Sequence, residues 1–310
     1  MPTSRRSFLF GSRSAPSSWG QFCARLARTA QGQTSWDVDE TIKIARLVPS
    51  RDKDVWHALA LCKEYGVQIW LDGPPLRSPQ HEQAILLVEP GSAWARLEST
   101  NAHLPHQDVW RVDAGCTVAQ LQTSGFDWLR QVDPAWSIAR WLASELASEW
   151  TPGDGSASHV LQASVLLADG TTAVLGEFGT KAKRPLQSIS VQKMVPHLFE
   201  LSRSPIAQAM MACSRWPAPY RLDALTPRST DDVNLARILT GHGGSLVWLW
   251  AVWLVRDTEL ARRSVAHQPV HQSLDSDALD AFNRQVKQAF DPSNVFAPIR
   301  PTKGLESGSL

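Results

Sequence analysis

Cysteine is scarce and scattered in this sequence of 310 residues. The four cysteines, Cys23, Cys62, Cys116 and Cys213, lie far apart and form no Cys-x-x-Cys pair. Zinc and iron–sulfur sites built from this chain alone are therefore not expected. A disulfide framework is not expected at this length either. We expect four buried thiols that pack as small apolar side chains, no metal site, and a reduced, cytoplasmic setting.

Long apolar runs and an excess of one charge are also missing. The most apolar stretch, SLVWLWAVWLV at residues 245–255, is shorter than the roughly 18 residues that cross a bilayer. It predicts a buried strand or a surface that faces a partner, and not a membrane span. The 31 basic and 30 acidic residues give a net charge of +1, which does not favour nucleic acid or an anionic membrane as the partner.

The N-terminus contains TSRRSFLFG, residues 3–11, which looks like a twin-arginine export signal. The segment after it carries arginines and lacks the continuous apolar region that a signal peptide needs. The favoured interpretation is a basic tail that leads into a short amphipathic helix, Trp19–Ala30, with export as the alternative.

The next segment has the alternation of a strand, a helix and two further strands. A strand is predicted around Ile44 and Leu47, and a helix is predicted to follow it, capped by Ser50 or Asp52 and ended by Gly66. Two strands, Val67–Leu71 and Ala84–Pro90, follow this helix.

The middle of the chain predicts a strand, a turn at Gly115 and a short helix capped by Thr117. A β-hairpin is predicted from Val160–Leu167 and Thr172–Leu175, with Asp169-Gly170 as its turn. After Pro185 the pattern of residue types changes and prolines cluster. The chain is therefore divided into a tail with a short helix at 1–35, a domain at 36–185 and a further domain at 186–310.

The order of four segments resembles the PCMH-type, vanillyl-alcohol-oxidase-like FAD-binding family. These segments are the strand–helix–strand at residues 48–73, VDAGCTVAQL, the DPAWSIARWLAS helix with its following hairpin, and KQAFDPSNVFAP. The closest likeness within the family is to the smaller FAD-binding subunit of bacterial glycolate oxidase. The resemblance covers roughly residues 40–180 and 280–300, and KQAFDPSNVFAP is its most specific part.

The resemblance implies an α+β fold. It implies a two-lobed FAD-binding domain with FAD between the lobes, followed by an α+β cap domain that shapes the substrate site. The implied activity is oxidation of a small 2-hydroxy acid, or electron relay in a complex with flavoprotein or iron–sulfur partner subunits.

The first phosphate loop of the family, typically three glycines with a Ser or Thr, corresponds here to Gly73, Pro74, Pro75 and Leu76. Glycine allows the backbone to approach a diphosphate and to point its N–H groups at it. Each proline lacks an N–H and fixes φ near −65°. Two potential phosphate donors are therefore gone from this loop.

The second loop, Thr-Ile-Gly-Gly in the family, corresponds to Ser137, Ile138, Ala139 and Arg140. The resemblance places Gly115 near the cofactor as well. Arg140 can either pair with a phosphate or fill the space that the diphosphate would occupy. The terminal Asn-Pro-Gly of the family is replaced by the tripeptide at 297–299, which loses a polar group near the expected flavin ring.

Histidines supply few further candidates. His103 and His106 are interpreted as a surface turn, and Pro269 argues against a helical pair of His267 and His271. The glycine-rich GHGGS stretch favours a hairpin turn, and the resemblance makes its His242 a candidate substrate-side residue.

Two functions remain open from the sequence. The first is an FAD-dependent oxidoreductase, in which the flavin carries the redox chemistry. The second is a flavin-fold relative that has lost FAD and acts as a structural or assembly subunit beside an active flavoprotein.

Overall fold

The computed structural model of the chain describes residues 17–37, 43–71, 83–100, 108–179, 186–228, 233–256 and 274–299. Within these ranges the protein is α+β, with seven α-helices and nine strands in two sheets. The α+β class and the two lobes expected from the sequence are confirmed. Among the helices of these ranges, none has both the length and the apolar character needed to span a membrane.

The first lobe is a four-stranded sheet with two helices. Its elements in chain order are α1 (Ser18–Thr29), β1 (Gln33–Trp36), β2 (Ile44–Val48), α2 (Asp52–Tyr65), β3 (Gln68–Leu71) and β4 (Ile85–Val88). The strand order is β1-β2-β4-β3. Strand β4 lies between β2 and β3 and pairs with both in parallel. All four side chains of β4 are buried, as expected for a central parallel strand covered on both faces.

Helix α2 begins differently from the sequence prediction. Neither Ser50 nor Asp52 caps it; the N-cap is Arg51, without a side-chain bond to the first turn. Asp54 organises this end instead. Its fully buried carboxylate accepts hydrogen bonds from the backbone N–H groups of Gln31, Gly32 and Ser50 and from the Arg51 guanidinium.

Burial alone would raise the pKa of the Asp54 carboxyl, but these hydrogen bonds outweigh it and lower the pKa to about 2. The carboxylate therefore joins the start of α2 to the segment between α1 and β1. The predicted end of the helix is confirmed, because Gly66 takes the left-handed conformation with φ 66°.

The second lobe is a five-stranded antiparallel sheet. Its strands are β5 (Leu97–Ser99), β6 (Val109–Asp113), β7 (Val160–Leu166), β8 (Thr172–Leu175) and β9 (Trp248–Val255), in the order β5-β6-β9-β7-β8. The short helices α3 (Val118–Thr123) and α4 (Ile138–Ala143) lie between β6 and β7 in the chain. The predicted β7–β8 hairpin is confirmed, with Gly170 at φ 90° in its turn.

The capping of α3 agrees with the sequence prediction. The Thr117 side chain accepts a hydrogen bond from the Gln120 N–H, and the Gln120 side chain accepts one from the Thr117 N–H. This reciprocal capping box satisfies two N–H groups that the helix itself leaves free.

Strand β9 comes from the segment after residue 185, yet it lies between β6 and β7. The remaining elements of that segment are the helices α5 (Ile189–Ser202), α6 (Pro205–Met211) and α7 (Ser276–Phe290), with short 3-10 helices between them. The division at residue 185 stays a prediction about domains, and so does the cap role, but this boundary does not separate two sheets.

The two lobes meet over a cluster of indole rings. Trp250 of β9 contacts Trp94 and Trp56, with ring centroids 5.8 and 6.2 Å apart. Trp248 and Trp250 are buried, so the apolar run at 245–255 is a core strand. All four cysteines are buried and have free thiols, as predicted.

Candidate cofactor site

The first phosphate loop lies outside the described residues. Gly73, Pro74, Pro75 and Leu76 belong to the range 72–82, and the structure describes the chain up to the end of β3 at Leu71 and again from residue 83. The roles given to these four residues therefore stay predictions. His103, His106, His267 and His271 also fall outside the described ranges.

Gly115 lies in the turn after β6, packed against the backbone before β5. Its N–H donates to the Trp94 carbonyl oxygen at 2.7 Å. A Cβ at this position would lie 2.5 Å from the Gly91 oxygen and 2.7 Å from the Trp94 oxygen. Glycine is therefore required by this close backbone contact, and its N–H is engaged within the protein.

The start of α4 is held against the same turn. The Ile138 N–H donates to the Cys116 oxygen at 2.8 Å, and the Ala139 N–H donates to the Ala114 oxygen at 3.0 Å. Thr117 and Ser137 form an isolated antiparallel bridge at this point. These contacts hold the turn at Gly115 and the second loop together, and they direct two N–H groups of the second loop into the protein.

The next two N–H groups of α4 are engaged within its first turn. The Arg140 N–H donates to the Ser137 Oγ at 3.2 Å, and the Trp141 N–H donates to the Ser137 carbonyl oxygen at 2.9 Å. Ser137 is thus the N-cap of α4. A buried N–H that already has a carbonyl or hydroxyl partner must lose that bond before it can donate to a phosphate.

The side chains at this loop do not leave an open cradle. Ala139 is only 2% exposed. The Arg140 guanidinium stacks over the Trp136 ring, with 4.4 Å from its central carbon to the ring centroid. The Arg140 Nε is buried without a hydrogen-bond partner among the described residues.

A diphosphate needs several N–H groups that point at it from a backbone it can approach closely. In the second loop the N–H groups of Ile138, Ala139 and Arg140 have partners in the protein, and so does the N–H of Trp141 after it. The donors that remain here are the Ser137 backbone N–H, the Ser137 hydroxyl and the Arg140 guanidinium. This part of the site does not fit an FAD diphosphate that is bound mainly by backbone groups.

The C-terminal motif forms a buried clamp. The Lys287 side chain is 7% exposed. Its ammonium donates to the Asp291 carboxylate at 2.6 Å, to the Ser245 carbonyl oxygen at 2.7 Å and to the Phe296 carbonyl oxygen at 3.3 Å. Burial lowers the pKa of Lys287, and the Asp291 charge opposes this. The Asp291 carboxylate also accepts the N–H groups of Val295 and Phe296.

The clamp positions the segment after α7 on the first lobe. The Ile69 N–H of β3 donates to the Val295 oxygen at 2.7 Å, and Ile69 forms a parallel bridge with Phe296. The sequence motif was recognised, but the sequence did not reveal that its lysine and aspartate pair with each other. Their i, i+4 spacing on a helix is the signal that indicates such a pair.

The GHGGS stretch is a tight turn between a 3-10 helix (Leu235–Leu239) and β9, and not a hairpin. Gly241, Gly243 and Gly244 all have positive φ, which explains their residue type. A Cβ on Gly244 would lie 3.1 Å from the Leu71 Cβ, so this turn packs against the end of β3. His242 is 3% exposed, and its substrate-side role stays a prediction.

A second buried ion pair was not foreseen. The Arg221 guanidinium binds Asp223 through two N–H groups, at 2.9 and 2.6 Å. It also donates to the carbonyl oxygens of Ser148 and Trp150 and lies 3.3 Å from the centroid of the Trp150 ring. The Arg-Leu-Asp tripeptide in the sequence carries no pattern that would have singled out this pair.

Comparison with solved structures finds partial similarity at low sequence identity. The glucooligosaccharide oxidase of Acremonium strictum is 13% identical with a TM-score of 0.39, over 75% of this chain and 41% of that one. BBE-like 1 of Physcomitrella patens is 11% identical with a TM-score of 0.41, over 75% and 43%. The 6-hydroxy-D-nicotine oxidase of Arthrobacter nicotinovorans is 11% identical with a TM-score of 0.41, over 73% and 42%.

The aligned part thus amounts to between 41% and 43% of the length of each of these three proteins. The oxidase of Acremonium strictum is described with a 6-S-cysteinyl, 8α-N1-histidyl FAD. No family model and no curated protein matches the chain.

Proposed function

We propose that this chain is a PCMH-type flavin-fold relative that does not hold FAD tightly through its diphosphate. It serves instead as a structural or assembly subunit beside an active flavoprotein. The observation that carries the proposal is the engagement of all four N–H groups from Ile138 to Trp141 within the protein. The two prolines of the first loop support it, because neither has an N–H.

The expected loss of affinity is large. A hydrogen bond to a charged group contributes roughly 1.5–3 kcal/mol. The absence of two such bonds weakens binding by roughly a hundredfold or more, at about 1.4 kcal/mol for each factor of ten. A protein with this site is expected to lose FAD during purification.

One observation favours a second function, an FAD-dependent oxidoreductase of the glycolate-oxidase-subunit type that acts on a small 2-hydroxy acid. The Arg140 Nε is buried without a partner in the described residues, and a guanidinium can bind phosphate through paired N–H groups. In that case Arg140 and the Ser137 hydroxyl would hold the diphosphate, and the bound flavin would supply the hydride or electron transfer.

An FAD titration separates the two functions. The protein is purified from cells supplied with riboflavin, its visible spectrum is recorded, and FAD is titrated while flavin fluorescence is followed. The first function predicts no flavin absorption after purification and a dissociation constant at least about a hundredfold above the nanomolar range. The second predicts nanomolar binding that the Arg140→Ala variant weakens by tenfold or more, and that a matched Arg130→Ala variant, with an exposed side chain, leaves unchanged.

A glycine variant tests the phosphate argument directly. Pro74→Gly, Pro75→Gly, Ala139→Gly and Arg140→Gly are combined in one protein, and FAD affinity is expected to rise above that of the unmodified chain. The more flexible loops offset part of the gain through ordering entropy. If the variant binds FAD no better, the loops are not what limits affinity.

The assembly role needs a separate measurement. The tagged chain is isolated from its source cells, and flavin is assayed in the eluate before and after separation of the chain from its partners. The proposal predicts flavin in the intact complex and none on the separated chain. Flavin on the separated chain, or a chain that elutes without any partner, would contradict it.

A further inference from the structure

A cavity of about 240 Å³ lies next to α4, and of its lining residues only Trp141 also belongs to the backbone segment of the candidate cofactor site. Three indole rings, of Trp128, Trp141 and Trp150, contribute to its wall together with His159, Gln131 and Glu149. Neither Gly115 nor any residue from Ser137 to Arg140 lines it. We refer to this cavity as the tryptophan pocket.

The first side of the tryptophan pocket is a stack of aromatic rings. The rings of Trp128 and His159 are parallel within 4°, with their centroids 4.4 Å apart. Trp141 lies against Trp128 at 5.2 Å and a tilt of 51°. His159 has φ 59°, a left-handed conformation that is uncommon outside glycine and persists where the surroundings enforce it.

A further part of the wall is the Trp150 ring, which is fixed by polar contacts. Its Nε1 donates to the Thr240 hydroxyl at 3.3 Å. The Arg221 guanidinium lies on one face of its ring, and Asp223 neutralises that guanidinium in the buried pair. Trp150 is therefore held in place before any ligand arrives, which reduces the entropy that binding would cost.

The lining of the tryptophan pocket carries negative charge. Among the side chains that line the tryptophan pocket, the charged one is the carboxylate of Glu149. Its side chain is 53% exposed and forms an ion pair with Arg215, whose side chain is 60% exposed, at 3.2 Å. Exposed pairs of this kind contribute at most about 1 kcal/mol, so a competing cation can displace the arginine.

Indole rings attract cations through the negative face of their π system, and this is the means by which aromatic cages recognise quaternary ammonium groups. Three indoles with a carboxylate at the rim give the tryptophan pocket that character. The volume of 240 Å³ is below the roughly 300–1,000 Å³ of sites for drug-sized ligands. We propose that the tryptophan pocket binds a small organic cation, an ammonium head group with at most a short apolar body.

Two probes test this proposal. One is choline, and the other is 3,3-dimethylbutan-1-ol, the uncharged alcohol in which a carbon atom replaces the choline nitrogen. Both are titrated into the full chain, and the indole resonances or the intrinsic fluorescence are followed. Choline is expected to bind with a dissociation constant on the order of 1 mM, and about fivefold more tightly than the alcohol, as for a cation–π gain of about 1 kcal/mol. Equal binding of the two probes, or no saturable binding of choline, would overturn the proposal.

Two variants locate the binding. Trp128→Leu is expected to weaken choline binding about fivefold, and Glu149→Gln about threefold. Trp56→Leu is the matched control, because Trp56 is an indole that lies outside the tryptophan pocket and is 39% exposed.

Circular dichroism checks that each variant folds. If Trp128→Leu does not fold, the exposed Glu149→Gln variant and the choline-dependent shifts of the indole resonances in the unmodified protein still decide the matter. Unchanged choline affinity in Glu149→Gln together with unshifted indole resonances would place the cation elsewhere and refute the site.

Discussion

Removal of the Lys287 ammonium is expected to destabilise the whole fold, because this group joins three segments of the chain. From α7 it contacts the C-cap residue Asp291, the turn before β9 through the Ser245 carbonyl oxygen, and the segment after α7 through the Phe296 carbonyl oxygen. The Asp291 side chain is completely buried. Lys287→Ala therefore leaves a buried carboxylate without its counter-charge.

The magnitude follows from the partners that remain. Breaking a buried ion pair costs about 3–5 kcal/mol. The Asp291 carboxylate keeps the N–H groups of Val295 and Phe296 at 3.0 and 2.8 Å, which favours the lower end of that range. We expect a loss of about 3 kcal/mol in the free energy of unfolding, or about 1 M in the urea midpoint for a slope of about 3 kcal/mol per M.

Urea unfolding followed by tryptophan fluorescence measures the loss. The matched control is Arg130→Ala, which breaks an exposed pair with Asp127 and is expected to cost less than about 1 kcal/mol. Lys287→Met keeps most of the apolar stem and isolates the effect of the charge. If Lys287→Met is as stable as the unmodified protein, or if both variants match Arg130→Ala, the reasoning about the clamp is wrong.

Three further changes test other contacts. Because the folded pKa of Asp54 is about 2, below the ordinary value of 3.8 for this carboxyl, it stabilises the fold above pH 3.8. That contribution, about 2 kcal/mol, is lost as the pH falls towards 2, so urea midpoints of Asp54→Asn should depend less on acid pH. Asp223→Asn leaves Arg221 buried without its carboxylate and should cost about 3–5 kcal/mol, seen as a lower melting temperature. Gly115→Ala places a Cβ 2.5 Å from a carbonyl oxygen and should cost about 1–3 kcal/mol; an unchanged melting temperature would show that the turn yields freely.

Local patterns predicted the elements that depend on neighbouring residues. The end of α2 at Gly66, the capping box at Thr117 and the β7–β8 hairpin were all predicted, because each is set by a few adjacent residues. The predicted cap of α2 was wrong. The carboxylate that organises this helix end is that of Asp54, and most of its partners, at Gln31, Gly32 and Ser50, lie outside the first turn.

The candidate site was predicted only in part, for the same reason. The substitution of the glycines by Ala139 and Arg140 was visible in the sequence, but the carbonyl partners of Ile138 and Ala139 lie more than twenty residues earlier. The tryptophan pocket joins rings from three separate segments. The composition of 14 tryptophans indicated abundant aromatic packing but not which rings would meet around a cavity.

The position of β9 has a consequence for how the chain is made. Asp113 of β6 pairs with Ala251 of β9, and Val160 of β7 pairs with Leu254, so the centre of the sheet arrives last from the ribosome. Until that strand is available, β6 and the β7–β8 hairpin each present an unpaired edge, and such edges favour association with other chains. Pairings between residues so distant in sequence also form slowly. The newly made chain therefore passes through a stage that is exposed to aggregation, and this stage ends when residues 248–255 enter the gap.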